Sequence, residues 1–453
     1  MTKLPAYFVF VIVTALLLLL CGFASSPAVS ISTSVVVTAA PVYDALAALH
    51  GRERFPQGSQ LLRIDKGEAA PLVSGFYATA DADISFDATH ILFAGKQTAA
   101  SSWRIWELTL SDHQVREVIS SPSDAIRPLY LPGNRLVYAQ RESAGFRMNA
   151  ATMDGSNVLP LTYFRGSALP SRVLLDGRIL FESGYPLGSG DTPELYLVYS
   201  DGSGIESYRC DHGTARWGGT QLASGDVVFT HGATLARFTS PLASEAAIEA
   251  PRASYAGAIA ETPSGAWIVS SKADIASHYQ LTLWQPGSLV TRPILAQGGQ
   301  DLVDPVLLSA RTVPNRHPSA LHDWTTANLL ALDARQSREG ALGQTPISIR
   351  VETQDSIGNV VMLGQAPVEP DGSFFVKAPG NQPIRFSLLD AQGNVLRQEH
   401  GWFWSRGGEQ RICVGCHTGP ERAPDNRVPA VLLRTTEPAD VSGSKPAPVT
   451  GGN

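Results

Sequence analysis

Short apolar strands follow polar turns at a steady spacing through the first two thirds of the chain. Asp87-Ala88-Thr89-His90 precedes Ile91-Leu92-Phe93, and Gly133-Asn134-Arg135 precedes Leu136-Val137-Tyr138. The same order recurs at Asp176-Gly177-Arg178 before Ile179-Leu180-Phe181, at Ser224-Gly225-Asp226 before Val227-Val228-Phe229, and at Ser264-Gly265-Ala266 before Trp267-Ile268-Val269. The glycines at 133, 177, 225 and 265 are 44, 48 and 40 residues apart. A second marker, Asp154-Gly155-Ser156 and Asp201-Gly202-Ser203, runs in phase with the first. A repeat of this length with several short strands per unit predicts a β-propeller, whose four-stranded blades bury their faces against one another. Five complete copies plus the strand-like Leu61-Leu62-Arg63-Ile64, which suits a closing blade shared by both ends, predict about six blades over residues 45–310.

Residues 311–324 break the pattern. Arg311-Thr312-Val313-Pro314-Asn315-Arg316-His317-Pro318 has two prolines and no apolar period, and reads as a linker. Two-residue alternation then returns at Ile347, Ile349 and Val351, and again at Ile384, Phe386 and Leu388. Turns fall at Pro370-Asp371-Gly372-Ser373 and Asp390-Ala391-Gln392-Gly393-Asn394. This predicts a small antiparallel β-sandwich over 325–405. Residues 423–453 are rich in Pro, Thr, Ser and Gly and are expected to be mostly disordered. The fold class is therefore all-β: a propeller, a sandwich, and a C-terminal segment at 406–422 whose chemistry is described below.

Composition agrees with a turn-rich exported protein. Only 17% of residues are charged while 43% are hydrophobic, enough apolar material for a sizeable core. The net charge is −6 and no basic run occurs, so no nucleic-acid partner is expected. Residues 1–24 read as a signal peptide or membrane anchor. Lys3 precedes an apolar run from Tyr7 to Leu20, and Gly22 and Ala24 have the spacing a signal peptidase accepts. Cys21 offers lipidation as an alternative, although Leu20 is bulky for that signal. The expected location is periplasmic or otherwise extracytoplasmic, with membrane association through the N-terminus as a variant.

Four cysteines are too few for a disulfide framework. Two of them form Cys413-Val414-Gly415-Cys416-His417, a c-type haem attachment sequence. Two thiols three positions apart can reach both vinyl groups on one porphyrin edge, and the adjacent histidine is carried beneath the iron. Cys413, Cys416 and His417 are thus the predicted haem residues, with His417 also the metal ligand. A zinc site would want four ligands, and no second CxxC exists; a thioredoxin-type site would want a βαβ context. Neither Met nor His follows His417. Candidates for the opposite iron position are Met148, Met153, Met362, His317, His322 and His400. Trp402, Phe403 and Trp404 either pack on the porphyrin or form domain core. Arg406, Arg411 and Arg422 are candidate propionate partners. Cys210-Asp211-His212 forms a separate small cluster: a lone buried thiol, or a metal ligand aided by another domain. P-loop, zinc-protease, nucleophile-elbow and EF-hand patterns are absent.

The Asp-Gly-Arg-Ile-Leu-Phe style of turn resembles TolB-type propeller repeats. Residues 363–374, 383–390 and 408–417, with Arg316-His317-Pro318-Ser319, resemble the middle domain of the hydrazine synthase alpha subunit and its relatives. The resemblance implies a propeller followed by a haem-bearing β domain. In hydrazine synthase a further cytochrome domain follows; this chain has no second CxxCH. The resemblance also implies a tyrosine four residues past the motif histidine as iron ligand, with that histidine turned to a zinc site that uses a propeller cysteine. Here that position is Glu421 and the matching cysteine would be Cys210, so hydrazine synthesis is not expected. The functional expectation is an exported monohaem c-type cytochrome carrying one covalent haem c, with zinc as a secondary cofactor. It would transfer electrons to a redox protein or to other cytochrome subunits of a complex. The alternatives are a haem oxidoreductase with an open iron position acting on a small nitrogen or oxygen species, and a propeller-based interaction subunit.

Overall fold

The computed structural model describes residues 31–188, 190–209, 212, 215–295, 298–337, 340, 342–415 and 426–443. The expected signal segment at 1–24 lies outside them. Among the described residues eight four-stranded sheets make up the fold, and six of these are propeller blades. Their innermost strands, in order Ala78–Ile84, Ala125–Leu131, Ala168–Val173, Arg216–Gln221, Ser254–Glu261 and Asp301–Leu307, pack each against the next, and the last packs against the first.

In the five blades other than the closing one, the first set of marker turns connects the innermost strand to the second. In Asp176-Gly177-Arg178 the Asp176 carboxylate accepts the Arg178 N–H at 2.9 Å, the usual Asp-initiated turn. The second strands read as continuous apolar runs because blades cover both faces. Ile179, Leu180 and Phe181 are all fully buried, and Leu180, Leu195 and Leu197 of one blade pack on Val227, Phe229 and Phe238 of the next.

Ring closure combines both ends of the propeller segment. Asp301–Leu307 pairs antiparallel with Val35–Ala40, which pairs in turn with Gln60–Asp65. The propeller therefore takes in Val35–Ala40, ahead of the residue 45 boundary. Leu61–Ile64 occupies the third position of the closing blade, with Glu68–Pro71 outside it.

The remaining two sheets form the sandwich. One orders Val360–Pro367, Ser348–Gln354, Ile384–Leu389 and Val395–Gln398; the other orders Gln410–Cys413, Thr326–Ala331, Phe374–Pro379 and Ala439–Asp440. Ile349, Val351, Phe374, Val376 and Leu388 fill the space between. The expectation of a purely antiparallel domain ending at 405 needs correction. Gln410–Cys413 and Ala439–Asp440 both join the second sheet in parallel, because long connections return the chain to its edges.

The tail also departs from expected disorder over 426–443. Ala430–Arg434 forms a short helix whose Ala430 and Val431 N–H groups donate to Asp371 and Ser373. Val431 and Val441 are buried. The apolar Ala-Val-Leu-Leu run, too short to order itself, does so on the sandwich.

Candidate functional site

Propeller and sandwich meet along a stretch built around Trp404. This side chain is fully buried, its indole N–H donates to the Gly202 carbonyl at 2.9 Å, and its ring stacks on Phe164 at 5.7 Å. Glu409 accepts the Gly204 N–H at 3.2 Å, and Arg406 donates to the Tyr163 hydroxyl and to Asn381. Trp404 is therefore interdomain core, and Arg406 an interface residue.

Beside this seam lies a cavity of about 250 Å³. The sandwich supplies one wall, with Ala331, Ala334, Phe374, Phe386, Trp402 and Phe403; the propeller supplies the other, with Tyr185, Leu187, Tyr196 and His212. Cys413 and Gly415 of the CxxCH motif open onto it. The parallel pairing of Ala331 with Cys413 sets that position, and the Leu332 N–H donates to the Cys413 carbonyl at 2.9 Å. Burial pushes the Cys413 thiol up, with Arg411 beside it offsetting part of the effect. The thiol is thus held neutral against an apolar space.

Cys416 and His417, the other predicted haem residues, lie outside the described residues, as do Cys210, Asp211, Glu421 and Arg422. Among the candidates for the opposite iron position, only His400 lines the cavity. His317 instead stacks on Tyr199 at 3.8 Å and approaches Asp201 at 3.6 Å, while His322 stacks on Trp324 at 4.6 Å. Met148 and Met153 are buried in the propeller, and Met362 is exposed on the sandwich.

The structure brings in one residue that the sequence placed in a different cluster. His212 lines the same cavity as Cys413, stacked on Tyr185 at 3.9 Å. Some 200 residues separate the two along the chain, so no spacing pattern could join them. Arg411 lines the cavity as well and donates to the Ile205 carbonyl at 2.6 Å. Arg397, a further cation in the wall, carried no motif signal at all. Trp402 and Phe403 do face the cavity, under Arg385 and edge-on to Phe386 respectively. Among the described residues no group of three or more His, Cys, Asp or Glu side chains forms a metal cage.

This arrangement sits within a recognisable unit. Residues 329–418 match the family model described as the hydrazine synthase alpha subunit middle domain. Over that stretch the chain is similar to the hydrazine synthase alpha subunit middle domain. That match runs from the central strand of the motif-bearing sheet through the CxxCH motif, and it supports the resemblance read from the sequence. The architecture around the alpha-type middle domain is also similar to Kuenenia stuttgartiensis hydrazine synthase. The TM-score is 0.75 at 15% identity, over 89% of this chain and 71% of that one. At that identity the likeness concerns the fold, a propeller joined to the alpha-type domain. TolB from Acinetobacter baumannii superimposes with a TM-score of 0.47 at 15% identity, over 63% of this chain and 69% of that one. No curated protein matches the chain.

Proposed function

We propose that this protein binds one haem covalently through Cys413 and Cys416 and serves as an exported monohaem c-type cytochrome, passing electrons within a larger assembly. The observation that carries this reading is the cavity at the domain seam. It places the motif's first cysteine, an apolar aromatic wall and histidines from both domains around one space. The residues present fit a haem: Trp402, Phe403 and Phe386 suit a porphyrin face, and Arg397 and Arg411 suit its propionates. His212 and His400, with His417 of the motif, are imidazoles suited to iron. A bound haem c would supply one-electron redox chemistry. The chain's own residues exclude water, fix the attachment edge and set the charge around it.

Two imidazoles across the cavity favour electron transfer over the alternative of an open iron position. Zinc at Cys210 and His417 is a secondary proposal that rests on the family resemblance. The family name concerns a subunit, which supports partner subunits as the electron acceptors and donors. Export rests on the N-terminal sequence and on the attachment of c-type haem outside the cytoplasm.

Material matured with cytochrome c assembly machinery tests the reading. Haem staining on a denaturing gel is expected for the wild type and absent after Cys413→Ala and Cys416→Ala; staining retained in the double variant would refute the attachment. A low-spin spectrum that turns high-spin in His212→Ala or His400→Ala is expected. A wild-type spectrum that is already high-spin and shifts with carbon monoxide would favour the oxidoreductase reading instead.

A further inference from the structure

The propeller axis holds a second polar chamber, unrelated to the haem motif. Every innermost strand breaks its register once in mid-strand, with extra residues at Asp81, Arg127, Ser171, Gly218, Gly257 and Asp304. Five of these six have positive φ, Ser171 being the exception. Bulges re-aim side chains, and four of the six bring polar ones, Asp81, Arg127, Ser171 and Asp304, to the axis. They enclose a chamber of about 80 Å³. A larger space of about 540 Å³, on the side of the marker turns and the linker, meets it at Arg172, Thr220 and Ile259.

The chamber's carboxylates are already engaged. Asp81 accepts from Arg54 at 2.6 Å, and Asp304 accepts from the same guanidinium. Asp83 accepts from Arg311 at 2.7 Å and from the Tyr130 N–H at 2.9 Å. Glu182 pairs with Arg127 at 3.0 Å and accepts the Gly218 N–H at 2.8 Å. Arg172 stands apart. It lines both spaces, yet its guanidinium makes no ion pair and no hydrogen bond among the described residues. Burial and then Arg311 act against its charge, and Asp83 offsets this only in part. Two neighbours in the chamber wall are also short of partners: the Trp217 indole N–H and the Thr220 hydroxyl are cut off from solvent without a hydrogen bond. Buried polar groups are rarely left this way unless water or an ion completes them.

We propose that the propeller axis is a binding site for a small planar oxyanion of carboxylate geometry, held by the Arg172 fork. A guanidinium offers two parallel N–H donors that match such an anion and not a spherical one. Trp217 and Thr220 supply further donors in the chamber wall. The vestibule beside the linker is the way in. The site uses propeller residues alone and stands whether or not the haem reading holds.

Titration calorimetry of the full-length protein with acetate and with nitrate, at constant ionic strength set with chloride, tests this. Saturable one-site binding of at least one of the two is expected. Arg172→Gln should weaken it about tenfold or more, the order expected for losing a charge-assisted pair. Arg172→Lys keeps the charge but loses the fork, and serves if the glutamine variant does not fold; binding several-fold weaker is expected. No saturable binding to the wild type overturns the proposal, as does binding left unchanged by Arg172→Lys or Arg172→Gln.

Discussion

Single side chains set their own chemistry here through a few short contacts. Asp87 shows this in the turn of the first complete blade. Its carboxylate accepts from the Ser85 and Thr89 hydroxyls, both at 2.7 Å, and from the Thr89 N–H at 3.1 Å. These bonds, Ser85 first, hold its carboxyl down to about 2. A folded-state value below the unfolded value of roughly 3.9 means the stabilisation is complete above that unfolded value. It is lost as pH falls through about 2. Ser85→Ala is expected to move the Asp87 titration, followed by carboxyl NMR, up toward its ordinary range. An unmoved midpoint would show that Ser85 is not the cause. The same logic applies to Cys413, whose neutral thiol is a product of its walls and not of its motif.

At the scale of the element, the recurring turn carries the repeat, but its copies are not equivalent. Gly177 and Gly225 both hold positive φ, at 90° and 94°. A Cβ on Gly225 would meet open space, whereas one on Gly177 would lie 2.2 Å from the Asn315 carbonyl of the linker. Gly225→Ala should therefore cost about 1–2 kcal/mol, the left-handed penalty alone. Gly177→Ala should cost clearly more, measured by denaturant unfolding. Equal losses in the two variants would mean that the linker yields without cost. The six register breaks around the axis obey a similar division: the strands are generic, while the side chains each bulge presents are individual.

The whole molecule is joined by the seam around Trp404. Its indole bond to Gly202, its stack on Phe164 and the polar contacts of Arg406 and Glu409 link two separately cored units. Removing that ring should cost roughly 3–5 kcal/mol. Because the loss falls at the seam, Trp404→Ala is expected to split one calorimetric unfolding transition into two. A wild type that already unfolds in two steps would show that the seam does not couple the units. Since the cavity borders the seam, the same variant should also loosen the wall that carries Cys413.

What local patterning dictates was legible along the chain. Turn-plus-strand units of 40–48 residues can bury their faces only by stacking, so the propeller and its approximate blade number follow from spacing. Alternation marks the sandwich, and the CxxCH triplet marks the proposed attachment site, whose spacing lies within five residues. Long-range placement was not legible. The pairing of Val35–Ala40 with Asp301–Leu307, the return of 426–443 to the sandwich, and the meeting of His212 with Cys413 join residues tens to hundreds of positions apart. Periodicity carries no information on such pairs, because they are chosen by which surfaces remain unburied once the local elements exist. Local patterning sets the elements and the CxxCH motif; packing between distant segments brings His212 and His400 to the cavity of Cys413 and leaves the Arg172 side chain unpaired on the propeller axis.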